Sequence, residues 1–293
     1  MEFSAQRRLT SDSGADASHR PPAPFWRLQQ PDSDSDYADT YVNGTLDHPF
    51  ALPGVKCERC GQTWGGTAIL PYELPLELQS LRQLRNGGPI SGREHAALRS
   101  RVLEALRATG AAIAELRVGA IFQPGFLDVP SRPEADFLWS GLGSVVVSER
   151  VRDTMVRAAV SGCEFVRVIP RKIGKRRATR RPPIPRGGEP EDLLDRVAQV
   201  RDPSGIPPYY ELVVTAESKH PPGARPESTC ELCGRETYDA DARTLVMEPH
   251  MWNGQDVFFL ATTLWIIITD RVKALLEPLR PTNVSFGKMP STE

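Results

Sequence analysis

Val145-Val146-Val147-Ser148-Glu149-Arg150-Val151 is matched, position by position, by Ile266-Ile267-Ile268-Thr269-Asp270-Arg271-Val272. In each copy three β-branched residues favour a buried strand. A hydroxyl residue then stands at a helix N-cap, and an acid follows against the positive end of the helix dipole. Apolar residues continue through Met155, Val156 and Val160 in one copy and through Leu275, Leu276 and Leu279 in the other. The match reaches a second strand: Phe165 is 165 − 148 = 17 positions after Ser148, and Phe286 is 286 − 269 = 17 after Thr269. The expected fold is therefore α+β, with a duplicated strand–helix–strand unit (about 144–169 and 265–288) in one mixed sheet. In this register Cys163 falls opposite Val284, which makes it a small core residue and not a nucleophile. Arg150 and Arg271 share a position just after the cap. A solvated first turn is their expected role, and an anion site is the alternative.

The other four cysteines lie in two Cys-x-x-Cys-Gly turns, Cys57-Glu58-Arg59-Cys60-Gly61 and Cys230-Glu231-Leu232-Cys233-Gly234. A two-residue gap lets both thiolates of a turn reach one metal ion, and a glycine after the second cysteine can adopt the positive φ that closes the turn. Two such turns supply the four ligands of a structural zinc site: Cys57, Cys60, Cys230 and Cys233. The second turn begins 230 − 60 = 170 positions after the first ends, far beyond the compact zinc-ribbon spacing of about 15–20 residues. One shared metal would therefore staple distant parts of the chain. A disulfide or thioredoxin-like redox pair is the rival use of such turns, and four unpaired thiols the plainest alternative. Trp64 is expected to pack over the first turn.

At 293 residues, with 40% hydrophobic and 25% charged side chains and a net charge of −1, the chain has an ordinary globular composition. Nothing in that balance draws it as a whole toward nucleic acid or an acidic membrane. The longest apolar stretch, 257–268, is too short to span a bilayer, which takes about 20 residues. The first residues contain neither an apolar signal core nor a lipidation cysteine, so a cytoplasmic location is expected, where thiols stay reduced.

Residues 1–24 read as a disordered extension and 25–293 as a single α+β domain. Phe25-Trp26-Arg27-Leu28 is a strand candidate, and the alternating Asp32, Asp34, Asp36 and Asp39 form a solvated acidic loop. Ser91-Gly92-Arg93-Glu94 has the form of a capping box, opening a helix with Leu98, Val102, Leu103 and Leu106 on one face and Gly110 at its end. His95, in the first turn of that helix, is expected at the surface. A basic, proline-rich insertion occupies 172–208, between strands expected at 164–169 and 209–215. Its cationic run starts at Arg171 and includes no aromatic residue to stack on a base, so no nucleic-acid partner is expected. The run nonetheless motivates the main rival reading, a zinc-dependent nucleic-acid-binding or regulatory protein. No phosphate loop, dinucleotide fingerprint, zincin helix or nucleophile elbow is present, and the five histidines are scattered, so no enzyme is expected. His220 and His250 are the histidines left open as substitute metal ligands.

The segment Leu52-Pro53-Gly54-Val55-Lys56-Cys57-Glu58-Arg59-Cys60-Gly61-Gln62-Thr63-Trp64 resembles the first signature of the myxobacterial double-CxxCG motif proteins, and Cys230 to Gly234 resembles the second. Asp256 to Leu260 followed by Ile266 to Val272 is similar to that family's C-terminal strand-and-helix element. The resemblance runs from about Phe25 to Phe286, to which this chain adds the N-terminal extension and the basic insertion. It implies an immunity protein that binds and neutralises a cognate toxin domain, of the swarming-inhibition lipoprotein kind passed between sibling cells. It also implies that the four cysteines hold a scaffold metal and perform no chemistry. The insertion departs from the shorter family pattern, which makes it the place to look for partner specificity.

Overall fold

In a computed structural model the chain is described over residues 24–31, 43–66, 68–85, 88–113, 115–128, 135–141, 143–171, 205–221, 226–238, 245–261 and 263–290. All but the last residue of the N-terminal extension, the acidic loop beyond Pro31 and most of the basic insertion lie outside these residues. The first part of the chain runs β1 (Phe25–Gln29), β2 (Thr45–Asp47), β3 (Phe50–Ala51), β4 (Val55–Lys56), β5 (Thr63–Trp64), β6 (Ile69–Glu73), α1 (Arg82–Arg85), β7 (Ile90–Ser91) and α2 (Gly92–Ala108). Then come β8 (Ile121–Gln123), β9 (Phe126–Asp128), β10 (Phe137–Trp139), β11 (Val145–Ser148), α3 (Glu149–Arg157), β12 (Cys163–Arg167), β13 (Ile169–Arg171) and β14 (Tyr209–Val214). The last part holds β15 (Pro226–Thr229), β16 (Glu236–Tyr238), β17 (Val257–Phe259), β18 (Ile266–Thr269), α4 (Asp270–Leu276) and β19 (Ser285–Lys288).

The duplicated unit is present in an α+β fold, but its copies lie in two sheets instead of one. Their orders are β10-β11-β14-β12 and β17-β18-β1-β19, and every pairing in both is antiparallel. Mixed pairing is found in three smaller sheets, β13-β9-β2, β3-β8-β6 and β5-β4-β7. In each four-stranded sheet the helix crosses between two strands with a third strand inserted between them, a split β-α-β arrangement. The inserted strand of the first copy is β14, which follows the unit in sequence. That of the second copy is β1, from the other end of the chain.

Side-chain alternation explains why both copies need uninterrupted β-branched runs. Val145 and Val147 face a core shared with Ile266 and Ile268 of the other copy. Val146 faces the opposite way, with Leu138 and Tyr209, and Ile267 does likewise, with Phe25 and Phe258. A strand covered on both faces has no solvent side on which to place polar residues. Val151, Met155, Val272 and Leu276 bring the two helices into the same shared core.

The copies are also clasped to each other reciprocally. Asp136 accepts from Ser148 Oγ at 2.8 Å and pairs with Arg150 of its own unit, and it takes the backbone N–H of Thr282, in the other unit, at 2.9 Å. Asp256 accepts from Thr269 Oγ1 at 3.2 Å and Arg271 at 2.5 Å, and takes the N–H of Ser161 at 3.1 Å. Arg150 donates onward to the Leu279 carbonyl, and Arg271 to that of Ala158. Ser148 and Thr269 do stand at helix N-caps, but their hydroxyls bind these aspartates and leave the helix amides alone. The two arginines do sit on solvated first turns, with side chains about half exposed, but each is committed to an aspartate and neither is left free as an anion site. They close a two-fold set of ion pairs.

Elsewhere α2 begins with the expected capping box on Ser91 and Glu94 and buries Val102 and Leu106 in a separate core with Phe50, Leu74 and Phe122. His95 does not reach the surface. It is 3% exposed, because the face it shares with Val102 and Leu106 turns inward. Glu211, fully buried on β14, accepts from Gln123 Nε2 at 2.6 Å and Ser144 Oγ at 3.1 Å, with His48 Nε2 at 3.0 Å. This carboxylate ties the first twin sheet to the β3-β8-β6 sheet.

Candidate metal centre

The two Cys-x-x-Cys-Gly segments fold into the same turn. In the first, between β4 and β5, Cys57 N–H donates to Gln62 O at 2.9 Å and Gly61 N–H to Cys57 O at 2.9 Å. In the second, between β15 and β16, Cys230 N–H donates to Arg235 O at 2.9 Å and Gly234 N–H to Cys230 O at 2.7 Å. Gly61 and Gly234 both have φ of 71°. A Cβ at either would meet nothing within 4 Å, so the left-handed backbone and not lack of room is what calls for glycine.

The turns meet face to face. The four sulfurs of Cys57, Cys60, Cys230 and Cys233 all lie within 4.8 Å of one another. Cys57 Sγ is 3.7 Å from Cys230 Sγ and Cys60 Sγ is 3.8 Å from Cys233 Sγ. A disulfide needs about 2.05 Å, and all four residues are free cysteines. Sulfurs at the corners of a tetrahedron about an ion with bonds of about 2.3 Å stand roughly 3.8 Å apart. The four cysteines therefore fit a metal ion, and they form the group able to hold one that sequence spacing anticipated.

The surroundings suit thiolates. Trp64 lies over the site as expected and donates its indole N–H to Cys233 Sγ at 3.4 Å. The backbone N–H of Cys233, joined by that of Leu232, holds the Cys230 thiol down to about 6. Burial pushes the Cys233 thiol up to about 11. Cys57 and Cys233 are buried, whereas Cys60 and Cys230 border an open cleft of about 300 Å³ that Arg59, Ser228, Arg235 and Thr237 also line.

A third element completes the junction. Glu58, inside the first turn, accepts from the backbone N–H groups of Gly92 at 2.7 Å and Arg93 at 3.3 Å, at the N-terminus of α2. Its own backbone N–H and that of Gly92 hold its carboxyl below the ordinary value. Leu232, inside the second turn, packs on the same place: a Cβ at Gly92 would lie 3.0 Å from Leu232 Cδ2 and 2.9 Å from Glu58 Oε2. Arg59 and Glu231 bridge the two turns at 2.6 Å on the exposed side.

The remaining candidates go elsewhere. His220 stacks on Tyr238 with ring centroids 4.8 Å apart, and His250 sits in a 3-10 turn; neither joins the sulfurs. Cys163 packs beside the shared core, and burial pushes its thiol up to about 12, in keeping with a core role. Arg171, the first residue of the basic run, is committed to Asp128 at 2.8 Å and Asp47 at 2.7 Å. Sequence reading missed Asp136 and Asp256, which precede their hydroxyl partners by 12 and 13 positions. The hairpin of the second copy is one residue longer, so a fixed-offset comparison sets Asp136 against Val257 and hides the pair. No protein-family model matches the chain, and no curated protein matches it at a significant level.

Proposed function

We propose that the chain is an immunity protein that binds and neutralises a cognate toxin domain delivered by sibling cells, with a structural zinc held by Cys57, Cys60, Cys230 and Cys233. The observation that supports this reading is the convergence of the two turns carrying the family resemblance on one four-sulfur centre. A centre closed by four thiolates leaves no position open for substrate, so the metal serves the scaffold and the reading assigns no catalytic residue. Zinc suits an all-sulfur tetrahedron because it is redox-inert and imposes no geometry of its own.

Such a centre persists where thiols are kept reduced, which supports a cytoplasmic setting for the proposed interaction. None of the helices among the described residues is long and apolar enough to cross a membrane. Co-expression with candidate toxin domains, beginning with any encoded beside this chain, tests the reading. Rescue of growth together with a complex that survives purification is the expected result. Continued killing with no complex would overturn it.

A further inference from the structure

Among the described residues, β15 and β16 pair only with each other, and all four residues of β15 are exposed. Few contacts hold this hairpin to the body. Cys230 and Cys233 meet the first turn, Trp64 donates to Cys233, and Leu232 rests on Gly92. Arg59 and Glu231 form an exposed ion pair, and Tyr238 stacks on His220. The small core here, Val55, Cys57, Val118 and Cys233, shares no residue with the core between the twin sheets.

We propose that metal occupancy works as a clasp on the hairpin 226–238. With the ion bound, the hairpin is docked against the first turn and the start of α2. With the ion removed, it leaves as a local unit and uncovers Leu232, Val55 and Val118, while the twin sheets stay folded. This rests on the metal reading of the four cysteines, and not on the toxin reading.

Without an ion the four sulfurs have nothing to draw them together. What then remains among the described residues is an exposed ion pair, a weak N–H···S contact, one ring stack with a Tyr238–His220 hydrogen bond at 3.3 Å, and the packing of Leu232 and Cys233, and polar contacts of these kinds hold little. Regions with few buried contacts open at low cost without unfolding the rest. An ion that binds only the docked arrangement shifts that opening equilibrium in proportion to its own affinity. Metal supply thereby sets how much of the Leu232 patch is exposed.

Hydrogen exchange on the full chain tests this, under reducing conditions, zinc-loaded and after chelation, with metal content measured in both samples. Amides in 226–238 should exchange at least about tenfold faster once zinc is gone, while those of β11, β14 and β18 keep their protection. Arg59→Ala in the loaded protein should leave the hairpin protected, because the ion and not the ion pair holds it. Unchanged exchange in 226–238 despite metal loss would overturn the proposal, as would equal loosening of the twin sheets, or loss of hairpin protection in Arg59→Ala with zinc retained. Protein that never carries metal would sink the clasp and the metal reading together. No partner takes part in the measurement, so none of these results bears on toxin binding.

Discussion

Cys57 Sγ and Cys230 Sγ lie 3.7 Å apart although 173 positions separate the two residues in the chain. The contact joins the turn that anchors α2 to a hairpin that pairs with no other strand among the described residues. Whatever holds these sulfurs together therefore fixes the relation of two parts of the fold that have little else in common.

Trp64→Phe keeps the ring over the site but removes the indole N–H that reaches Cys233 Sγ. Donors of this kind around a metal tune its affinity by about 10–100-fold. Competition with a chromogenic chelator should show zinc held at least tenfold more weakly, with the fold intact by circular dichroism. Unchanged affinity would mean that the tryptophan only packs.

Gly61→Ala and Gly234→Ala should each strain a backbone with φ of 71°, in open space. A left-handed conformation costs a non-glycine residue about 1–2 kcal/mol. Zinc affinity should fall roughly tenfold in each alanine variant and less in the asparagine variants, because asparagine tolerates that region better. Equal losses with alanine and asparagine would point to side-chain crowding instead.

Asp136 is 2% exposed in its side chain and Asp256 is 14% exposed. Burial works against ionised Asp136, but hydrogen bonds from Arg150, Thr282 and Ser148 and the charge of Arg150 leave its carboxyl below the ordinary aspartate value. A depressed carboxyl adds stability that is complete above the unfolded pKa of about 3.9 and disappears as pH falls through the folded value. Asp136→Asn should cost about 2–4 kcal/mol at pH 7 and should have a flatter acid limb than the parent chain. Asp256→Asn should cost less. Urea titrations from pH 7 to pH 3 read both effects, and equal costs for the two variants would contradict the account.

His95 is buried, with Nε2 lacking a partner, and burial followed by the charge of Arg99 lowers its pKa to about 4. Its unfolded value is about 6.5, so the unfolded chain takes up the proton first. Stability should therefore decline as pH falls from about 6.5 toward 4 and stop declining from this source below that. The contribution between pH 7 and pH 5 is about 2 kcal/mol. His95→Leu should remove that decline, and a parallel decline in the variant would show that another group causes it.

Much of the candidate site was legible in the residues because each clamp is a local turn with its two cysteines three positions apart. The capping box on Ser91 and the strand–helix–strand match are local patterns too, and they hold in the structure. The placement of the copies was not legible, because nothing near Ile266 indicates that β1, from the other end of the chain, fills the middle of its sheet. His95 was misplaced because the first turn of a helix is often wet, whereas here it lies on the inward face with Val102 and Leu106. The aspartate clasps escaped for a different reason: one extra residue in a hairpin moves every position before it out of register.

Metal analysis of the full chain, purified without added metal under reducing conditions, decides whether the four sulfurs hold an ion. About one zinc per chain is expected, lost together with zinc-dependent stability in Cys57→Ser and Cys230→Ser. Metal-free protein in which the four cysteines are free thiols or disulfides, with both serine variants as stable as the parent, would contradict the metal reading.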